Sequence, residues 1–462
     1  MRKLVLLGLV QTLLLLAGCG GGSSGTLTTS DNGSGSGQSS STNTVTMTVD
    51  SGPDPSAGYD VDTPFITVTV CAPGSTTNCQ TIDDVEVDTG SYGLRVISSV
   101  LNASLASALQ QETSSGNPVV ECTAFADGFS WGPVEVADVQ IAGESASNVP
   151  IQVMGDPTYE QTSGSGSSAV SEIPTSCSTS TTGGEEDTVA TFGANGIIGV
   201  GPFADDCGSG CALATSNPDY VGFYYECPAS SWSPSNPCSN ISLAESAQVT
   251  DPVVDFETDN NGVIIELPSA TEGASSVTGT LVFGIGTEGN NSLTAKTVLT
   301  ASSDYGDITT NYTTQGGTQQ VLPFSYLDTG SNAYYFADQS IPSLQSCSSY
   351  PGYDSSDPDS WFCPSSELSL SATNTGLNGT QSTVSFSIGN AYTLFNDYSG
   401  SVFNDLGASS GSEDANCDSA TSAANDGNCA FDFGFPFFLG RNVFIAFAGA
   451  NTSGGAGPYF AY

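Results

Sequence analysis

A four-residue motif that occurs twice contains the residues of this sequence that could perform chemistry together. The two copies are Asp88-Thr89-Gly90-Ser91 and Asp328-Thr329-Gly330-Ser331. The chain has no histidine, which excludes serine–histidine–aspartate and cysteine–histidine catalysis and removes the commonest neutral metal ligand. Acid–base catalysis near or below neutral pH must therefore rely on carboxyl groups.

Two such motifs placed face to face would bring Asp88 and Asp328 into contact. Two carboxylates that close cannot both ionise, so the pair would hold one proton over a wide pH range. One carboxylate can then take a proton from a bound water while the other donates a proton to the carbonyl under attack. We expect no metal and no organic cofactor for this reaction.

The other residues of the motif could hold the pair in place. A threonine hydroxyl can lock a turn, and glycine permits a positive φ or close approach by a facing loop. A serine hydroxyl can donate to the outer oxygen of the aspartate. We expect these supporting roles for Thr89, Gly90, Ser91, Thr329, Gly330 and Ser331. The alternative is two acidic surface turns, because Asp-Thr and Asp-Gly commonly form turns.

The elements that must position these motifs are predicted to be β-strands. Short runs rich in Val, Ile, Thr and Phe recur between clusters of Gly, Asn, Asp and Ser. The predicted strands include residues 65–71, 134–141, 262–267, 278–284, 383–388 and 442–447. Helical periodicity is weak, and residues 98–111 are the best short candidate. The pattern favours an all-β fold with a few short helices.

A second repeated feature follows each motif. Ile197-Ile198-Gly199 ends 111 residues after Asp88, and Phe438-Leu439-Gly440 ends 112 residues after Asp328. Matching motifs at matching spacings indicate two copies of one lobe. We assign residues 45–262 to the N-terminal lobe and residues 263–462 to the C-terminal lobe.

The two Asp-Thr-Gly-Ser motifs, each with a downstream apolar-apolar-Gly, resemble the pepsin-like aspartic proteases. Residues 194–200 and 438–444 are similar to the two crossing strands of that family, and residues 278–284 resemble the strand that opens its C-terminal lobe. The chain also resembles a family of uncharacterised bacterial lipoproteins, in residues 125–132 and in the segment that begins at Asp88. That second family has no known activity.

The first resemblance implies a bilobal pepsin-like acid protease architecture with Asp88 and Asp328 as the catalytic pair. It implies that Thr89 and Thr329 cross-brace the two loops, and that Ser91 and Ser331 hydrogen-bond the carboxylates. The implied activity is endopeptidase hydrolysis of extended peptides with large apolar residues beside the cut. The alternative is an inactive surface lipoprotein that binds a peptide or a glycan in the same cleft.

The resemblance also implies a mobile flap over the cleft. Phe125 falls where the family has a tyrosine, and Gly128 and Gly132 fall at the expected turn positions. Trp131 would then supply covering surface. The alternative is that Phe125 and Trp131 simply pack within the hairpin.

The start of the chain reads as an export signal. Residues 1–19 begin with the charged Arg2 and Lys3, continue with an apolar run and end in small residues typical of a cleavage site. This last segment resembles a bacterial lipobox, which implies lipidation of Cys19 and anchoring in the cell envelope. Gly20 after the cysteine suggests delivery to the outer membrane. An ordinary cleaved signal is the alternative and would leave the protein periplasmic or extracellular. Residues 20–44 are rich in Gly, Ser and Thr and are expected to form a flexible linker.

The charge of the chain limits its partners. There are 48 Asp and Glu against five Lys and Arg, for a formal net charge of −43. Nucleic acids and anionic bilayers would be repelled, so we expect a monomer that touches a membrane only through its lipid. Arg95 and Arg441 lie beside the repeated motifs. We expect each to pair with a buried carboxylate, or one of them to lie near the aspartate pair.

Thirteen cysteines minus Cys19 leave twelve, an even number that predicts disulfides in an oxidising compartment. Sequence alone does not fix their connectivity. Proximity along the chain suggests Cys71–Cys79, Cys207–Cys211, Cys227–Cys238, Cys347–Cys363 and Cys417–Cys429, which leaves Cys122–Cys177.

Overall fold

The computed structural model describes residues 43–54, 61–165, 169–179, 183–213, 223–228, 232–341, 347, 361–411 and 429–462. The predicted signal peptide of residues 1–19, the predicted lipidation site Cys19 and residues 20–42 of the predicted linker lie outside the described residues. Cys417 lies outside them as well.

Strands dominate the described residues, and the expected all-β class is confirmed. The strands of the first half are β1 (Thr44–Val49), β2 (Pro64–Cys71), β3 (Cys79–Asp88), β4 (Tyr92–Ile97), β5 (Gln110–Gln111), β6 (Thr113–Ser114), β7 (Asn117–Ala124), β8 (Gly128–Ile141), β9 (Glu144–Met154), β10 (Thr162–Ser163), β11 (Val170–Ser171), β12 (Gly184–Glu185), β13 (Gly196–Val200), β14 (Tyr224–Glu226) and β15 (Ser239–Asn240).

The strands of the second half are β16 (Gly262–Glu266), β17 (Val277–Phe283), β18 (Val298–Thr300), β19 (Ile308–Thr313), β20 (Gln319–Leu327), β21 (Tyr334–Phe336), β22 (Leu368–Thr375), β23 (Gln381–Ile388), β24 (Gly407–Ser409), β25 (Asp432–Phe433), β26 (Asn442–Ala446), β27 (Asn451–Thr452), β28 (Gly455–Ala456) and β29 (Tyr459–Ala461). The α-helices are short: α1 (Ala103–Ala106), α2 (Thr175–Ser178), α3 (Val189–Phe192), α4 (Gly208–Ala212) and α5 (Ala391–Asp397).

The six predicted strands coincide with β2, β8, β16, β17, β23 and β26. The predicted helix over residues 98–111 is wrong as a continuous element. A 3-10 turn ends at Val100, α1 covers four residues, and β5 pairs with β8. The side chain of Asn102 accepts hydrogen bonds from the amides of Ser104 and Leu105, so it caps a new helix rather than continuing an old one.

In the first half, β13 lies between β3 and β4, parallel to β3 and antiparallel to β4. All five residues of β13 are buried, as expected for a strand that is covered on both faces. The register places Ile198 opposite both Val87 and Leu94, and Gly199 opposite Asp88. This strand therefore crosses directly behind the first motif.

The second half repeats this arrangement with β25 between β20 and β21. Phe433 lies opposite both Leu327 and Tyr334, which makes it the counterpart of Ile198. Gly434 is then the counterpart of Gly199, and it follows Asp328 by 106 residues. The second crossing strand is thus Asp432-Phe433-Gly434.

The prediction that Phe438-Leu439-Gly440 forms this crossing strand is wrong. Those residues follow a 3-10 helix (Phe435–Phe437) and precede β26. The reason lies in backbone packing behind the motifs. A Cβ on Gly199 would lie 2.4 Å from the carbonyl carbon of Ser91, and a Cβ on Gly434 would lie 2.6 Å from the carbonyl oxygen of Ser331. Only glycine fits at these two points.

A shared sheet joins the two halves. Strand β1 pairs along its whole length with β17, β17 pairs with β16, β16 with β26, β26 with β29, and β29 with β18. The proposed lobe boundary between residues 262 and 263 falls at the start of β16. One apolar cluster runs through both halves and includes Val87, Ile198, Leu327 and Phe433. Each such side chain contributes about 1.5–3 kcal/mol when fully buried.

Five of the six suggested disulfides form, namely Cys71–Cys79, Cys122–Cys177, Cys207–Cys211, Cys227–Cys238 and Cys347–Cys363. Cys429 is also disulfide-bonded, but its suggested partner Cys417 lies outside the described residues. Within the part of the chain that the structure describes, no helix is long and apolar enough to cross a membrane.

Candidate active site

Asp88 and Asp328 lie at equivalent points at the ends of buried strands. Asp88 is the last residue of β3, and Asp328 directly follows β20. Both side chains line one cleft of about 250 Å³ between the two halves. Buried side chains near the ends of β3 and β20, Val87 and Leu327 among them, fix the register of each strand and so the point at which each motif emerges.

The two motifs are locked together by their threonines. The amide of Thr89 donates to Oγ1 of Thr329 at 3.1 Å, and the amide of Thr329 donates to Oγ1 of Thr89 at 3.0 Å. Each hydroxyl also donates across the junction, from Thr89 to the carbonyl of Leu327 at 2.9 Å and from Thr329 to that of Val87 at 2.6 Å. Four buried hydrogen bonds therefore hold one loop against the other.

Gly90 and Gly330 leave the space in which the two aspartate side chains approach each other. A Cβ on Gly90 would lie 2.6 Å from Cγ of Asp328, and a Cβ on Gly330 would lie 2.6 Å from Oδ1 of Asp88. The amide of each glycine also donates to Oδ1 of its own aspartate, at 2.7 Å for Asp88 and 2.8 Å for Asp328. The two carboxyl groups meet in the space that the missing side chains leave.

The surroundings of Asp328 favour its protonated form. Loss of hydration raises the pKa of Asp328 well above its ordinary value, and the charge of Asp88, the charge of Asp432 and a hydrogen bond with Asp88 add to this shift. A hydrogen bond from Ser331 acts in the opposite direction. Because the protonated form of Asp328 is favoured beside Asp88, the pair can act as one base and one acid at the same time.

The two serines differ. Oγ of Ser331 donates to Oδ2 of Asp328 at 2.9 Å. The matching bond from Ser91 to Asp88 was expected and is absent, since Oγ of Ser91 is buried without a hydrogen-bond partner among the described residues. Oδ1 of Asp88 accepts a hydrogen bond from the amide of Gly90. The site is therefore not symmetric in its hydrogen bonds.

The hairpin of β7 and β8 carries the predicted flap. The amide of Phe125 donates to the carbonyl of Gly128 at 2.8 Å, which closes the turn between the two strands. Phe125 lines the cleft, and its ring centroid lies 5.6 Å from that of Phe192. Phe125 and Gly128 thus occupy the hairpin turn above the aspartates.

Two predicted flap residues lie elsewhere. Trp131 is fully buried, donates from Nε1 to the carbonyl of Tyr159 at 2.9 Å and packs edge-on against Tyr225. Gly132 is paired within the strand opposite Glu121, where a Cβ would lie 2.0 Å from the carbonyl oxygen of Val153. Both residues come after the turn and belong to the core of the hairpin, so neither covers the cleft.

Several acids of the cleft were missed from the sequence. Glu86, Asp127 and Glu186 line the cleft together with the aspartate pair. Glu86 could have been found, because a residue two positions before Asp88 on a strand lies on the same face. Glu186 reaches the cleft only because its amide donates to the carbonyl of Phe129 on the hairpin.

Asp127 and Glu186 form a second carboxyl pair in the cleft. Loss of hydration is the main cause that raises the pKa of each group, and the two share a hydrogen bond. Such a bond between two acids requires a proton. The side-chain contact between Asp127 and Glu186 therefore depends on protonation, whereas backbone pairing of β12 with β8 holds the two segments together without it.

The arginines also differ from each other. Arg95 is fully buried and contacts Glu121 and Asp206, each at 2.7 Å. The expected pairing with a buried carboxylate holds for Arg95, away from the aspartate pair. For Arg441 it is wrong within the described residues, because the guanidinium donates to the carbonyl of Phe437 and stacks over the ring of that residue.

The site offers no tight cage for a metal among the described residues. Groups of acidic or sulfur ligands close enough for an ion occur elsewhere, for example Glu160, Glu185 and Asp187. Those three side chains are partly exposed, and nothing else in their surroundings points to a bound ion.

The chain belongs to the family described as protein of unknown function (DUF3443), which matches residues 39–462. No curated protein sequence matches it. Among solved structures, the aspartic proteinase from Irpex lacteus matches 90% of this chain and 96% of its own, with 14% sequence identity and a TM-score of 0.46. That likeness is distant and by itself assigns no function to the site of this chain.

Proposed function

We propose that the chain is an aspartic endopeptidase in which Asp88 and Asp328 activate a water molecule against a peptide carbonyl. The observation that carries this proposal is the meeting of the two motifs. Reciprocal hydrogen bonds between Thr89 and Thr329 hold the loops together, and the two carboxyl groups share a hydrogen bond at the floor of a cleft.

The chemistry follows from one proton shared by two carboxyl groups. The ionised carboxylate takes a proton from water while the water oxygen bonds to the carbonyl carbon. The protonated carboxyl gives its proton to the carbonyl oxygen, which avoids a free oxyanion. The C–N bond of the resulting gem-diol then breaks as the carboxyl group that took the proton of water gives it to the leaving nitrogen, while a hydroxyl of the gem-diol returns its proton to the other carboxylate and becomes the new carbonyl. Water is consumed, and both carboxyl groups return to their starting state.

The shape of the cleft supports an extended substrate. Its walls come from both halves and include Val61, Phe125, Phe192 and Ile197, so apolar side chains can bind beside the aspartates. An extended peptide presents alternate side chains to such walls and backbone groups to the hairpin. We infer a preference for unfolded or extended peptides with large apolar residues.

A non-catalytic cleft that holds a peptide or a glycan is the second candidate. The observation in its favour is that Phe125, at the tip of the hairpin, has no hydroxyl with which to order a water or a substrate group. The full set of Asp, Thr and Gly in both motifs favours the enzyme, because a pure binding site has no need of a proton-sharing pair.

We further propose a monomer held at the cell envelope by a lipid on Cys19. The five described disulfides support an oxidising, extracytoplasmic location. The lipid would be the sole attachment, since the net charge of −43 repels anionic bilayers.

The test is digestion of a reduced, unfolded protein between pH 3 and pH 7, with and without a peptide inhibitor that carries a hydroxyl-bearing tetrahedral carbon. We expect cleavage in the acidic range that the inhibitor blocks. Cleavage that the inhibitor does not affect would contradict an aspartic mechanism, and no cleavage at any pH while the inhibitor still binds would favour the second candidate.

A further inference from the structure

Asp432 occupies an unusual place behind the aspartate pair. It lies on β25 opposite Tyr326 and Tyr335. In the first half the equivalent residue is Ile197, which lies opposite Glu86 and Arg95 and lines the cleft. Phe431 and Phe433 stack on each other at 4.2 Å in the core, so strand alternation turns Asp432 to the opposite face. One half thus has an acid where the other half has an apolar side chain.

The carboxyl group of Asp432 is buried and joined to the site by one serine. Its exposed fraction is 6%, and its Oδ1 has no hydrogen-bond partner among the described residues. The hydroxyl of Ser331 hydrogen-bonds to Asp432 and also donates to Oδ2 of Asp328. A hydroxyl has one proton, so it cannot donate to both acids. Asp328 and Asp432 therefore compete for the proton of Ser331: loss of hydration raises the pKa of Asp432, whereas the hydrogen bond of Ser331 lowers that pKa.

The titratable groups around Asp432 are acids and a phenol. Asp88 acts on it from the first half, and Asp432 in turn acts on Asp328. Loss of hydration, followed by the charges of Asp432, Asp328 and Asp88, raises the pKa of Tyr326 well above its usual range. The hydroxyl of Tyr335 is engaged with Asn332. No cation is among the groups that act on Asp432 in the described part of the chain.

We infer that Asp432 is a third carboxyl group of the site, a positioning residue that acts through Ser331 and through its charge to keep the shared proton on Asp88 and Asp328 to higher pH. This inference rests on the proposed function. As the pH rises, Asp432 releases its proton to solvent, and its negative charge then opposes loss of the last proton from the pair.

The first experiment is the pH profile of kcat/KM for wild type and Asp432→Asn. Asparagine keeps the size of the side chain and can donate to Ser331, but it has no charge. We expect the alkaline limb to move to lower pH by roughly one unit, as Coulomb interaction at an effective dielectric near 20 implies. The control is Asp84→Asn, which removes an aspartate of the same strand as Asp88 outside the cleft and should leave the limb in place.

A second experiment needs no activity. Loss of hydration raises the pKa of Asp432 well above its ordinary value, so the folded protein loses stability when the pH rises from about 4, the ordinary aspartate value, towards that raised pKa. Urea denaturation should show that Asp432→Asn gains stability relative to wild type over this range. In an Asp88→Asn background the gain should be smaller, because the charge of Asp88, which adds to the raised pKa of Asp432, is gone.

The outcomes separate the two claims. An unchanged alkaline limb, or an equal gain in stability with and without the charge of Asp88, would overturn the role of Asp432. If the wild type shows no proteolysis but the gain depends on Asp88, the coupling between these carboxyl groups stands, and the proposed protease function and the catalytic part of the inference are overturned.

Discussion

The carboxyl group of Asp328 lies against Gly90 of the opposite half, where a Cβ would come within 2.6 Å of its Cγ. The mirror contact joins Gly330 and Asp88 at the same distance. Each glycine thus leaves room for the aspartate of the other motif. The two carboxyl groups can lie close together because these two positions have a hydrogen atom in place of a side chain.

Gly90→Ala is expected to push the carboxyl of Asp328 away from Asp88 without unfolding the chain. A displacement near 1 Å at reacting groups can cost about 10²-fold in rate, so we expect kcat/KM to fall by at least that factor. Gly289→Ala is the control, because a Cβ there would meet nothing within 4 Å. Equal activity of the two variants would contradict the contact.

Thr89→Val tests the bracing of the loops. The substitution removes the acceptor for the amide of Thr329 and the donor to the carbonyl of Leu327. A buried polar group left without a partner costs about 1–3 kcal/mol, so the free energy of unfolding in urea should fall by about 2–6 kcal/mol for the two groups. Thr89→Ser keeps the hydroxyl and should lose much less. A similar loss in both variants would assign the effect to packing.

Arg95→Met tests the buried ion cluster. Arg95 holds Glu121 and Asp206, and its Nε donates to Thr123. Removal of one partner from a buried pair costs about 3–5 kcal/mol. Lys296→Met removes the same charge from an exposed side chain and should change the free energy of unfolding by less than about 0.5 kcal/mol. Equal losses in the free energy of unfolding for the two variants would mean that stability depends on the net charge rather than on the buried ion cluster.

The protein should be more stable in mild acid than at neutral pH. Loss of hydration is the main cause that raises the pKa of Glu135, Glu160 and Glu185 to about 7. A carboxyl group with a raised folded-state pKa favours folding at low pH, and this contribution is lost as the pH rises from about 4.3, the ordinary glutamate value, through the folded-state pKa.

Urea denaturation at pH 5 and pH 7.5 measures this dependence. We expect a lower free energy of unfolding at pH 7.5, and a smaller difference between the two pH values in Glu135→Gln. Higher stability at pH 7.5, or an unchanged difference in the variant, would contradict the assignment.

The sequence allowed prediction of the parts of the site that are local. Asp88, Asp328 and their threonines and glycines could be placed because the motif recurs whole, and strands such as β2 and β8 could be placed from their apolar runs. Four of the five described disulfides could be predicted because their cysteines are near each other in the chain, and Cys122–Cys177 could be predicted by elimination.

The parts that depend on long-range register could not be predicted. In a segment rich in phenylalanine, Gly434 and Gly440 both follow apolar residues, so either could end the crossing strand. Only the pairing with β20 and the contact between Gly434 and Ser331 show that the crossing strand ends at Gly434. Asp432 breaks the apolar pattern of that strand, so the pattern alone pointed to Phe438-Leu439-Gly440. Glu186 is 98 residues from Asp88 in sequence, and nothing local places it in the cleft.

The most direct test of the central claim is a double-mutant cycle on Asp88→Asn and Asp328→Asn, measured as kcat/KM at the pH optimum of the wild type. Residues that share one proton act as a unit, so each single variant should lose about 10³-fold or more, and the double variant should lose little beyond either single variant. A single variant that keeps activity within tenfold of wild type, or losses that simply multiply in the double variant, would contradict a catalytic pair.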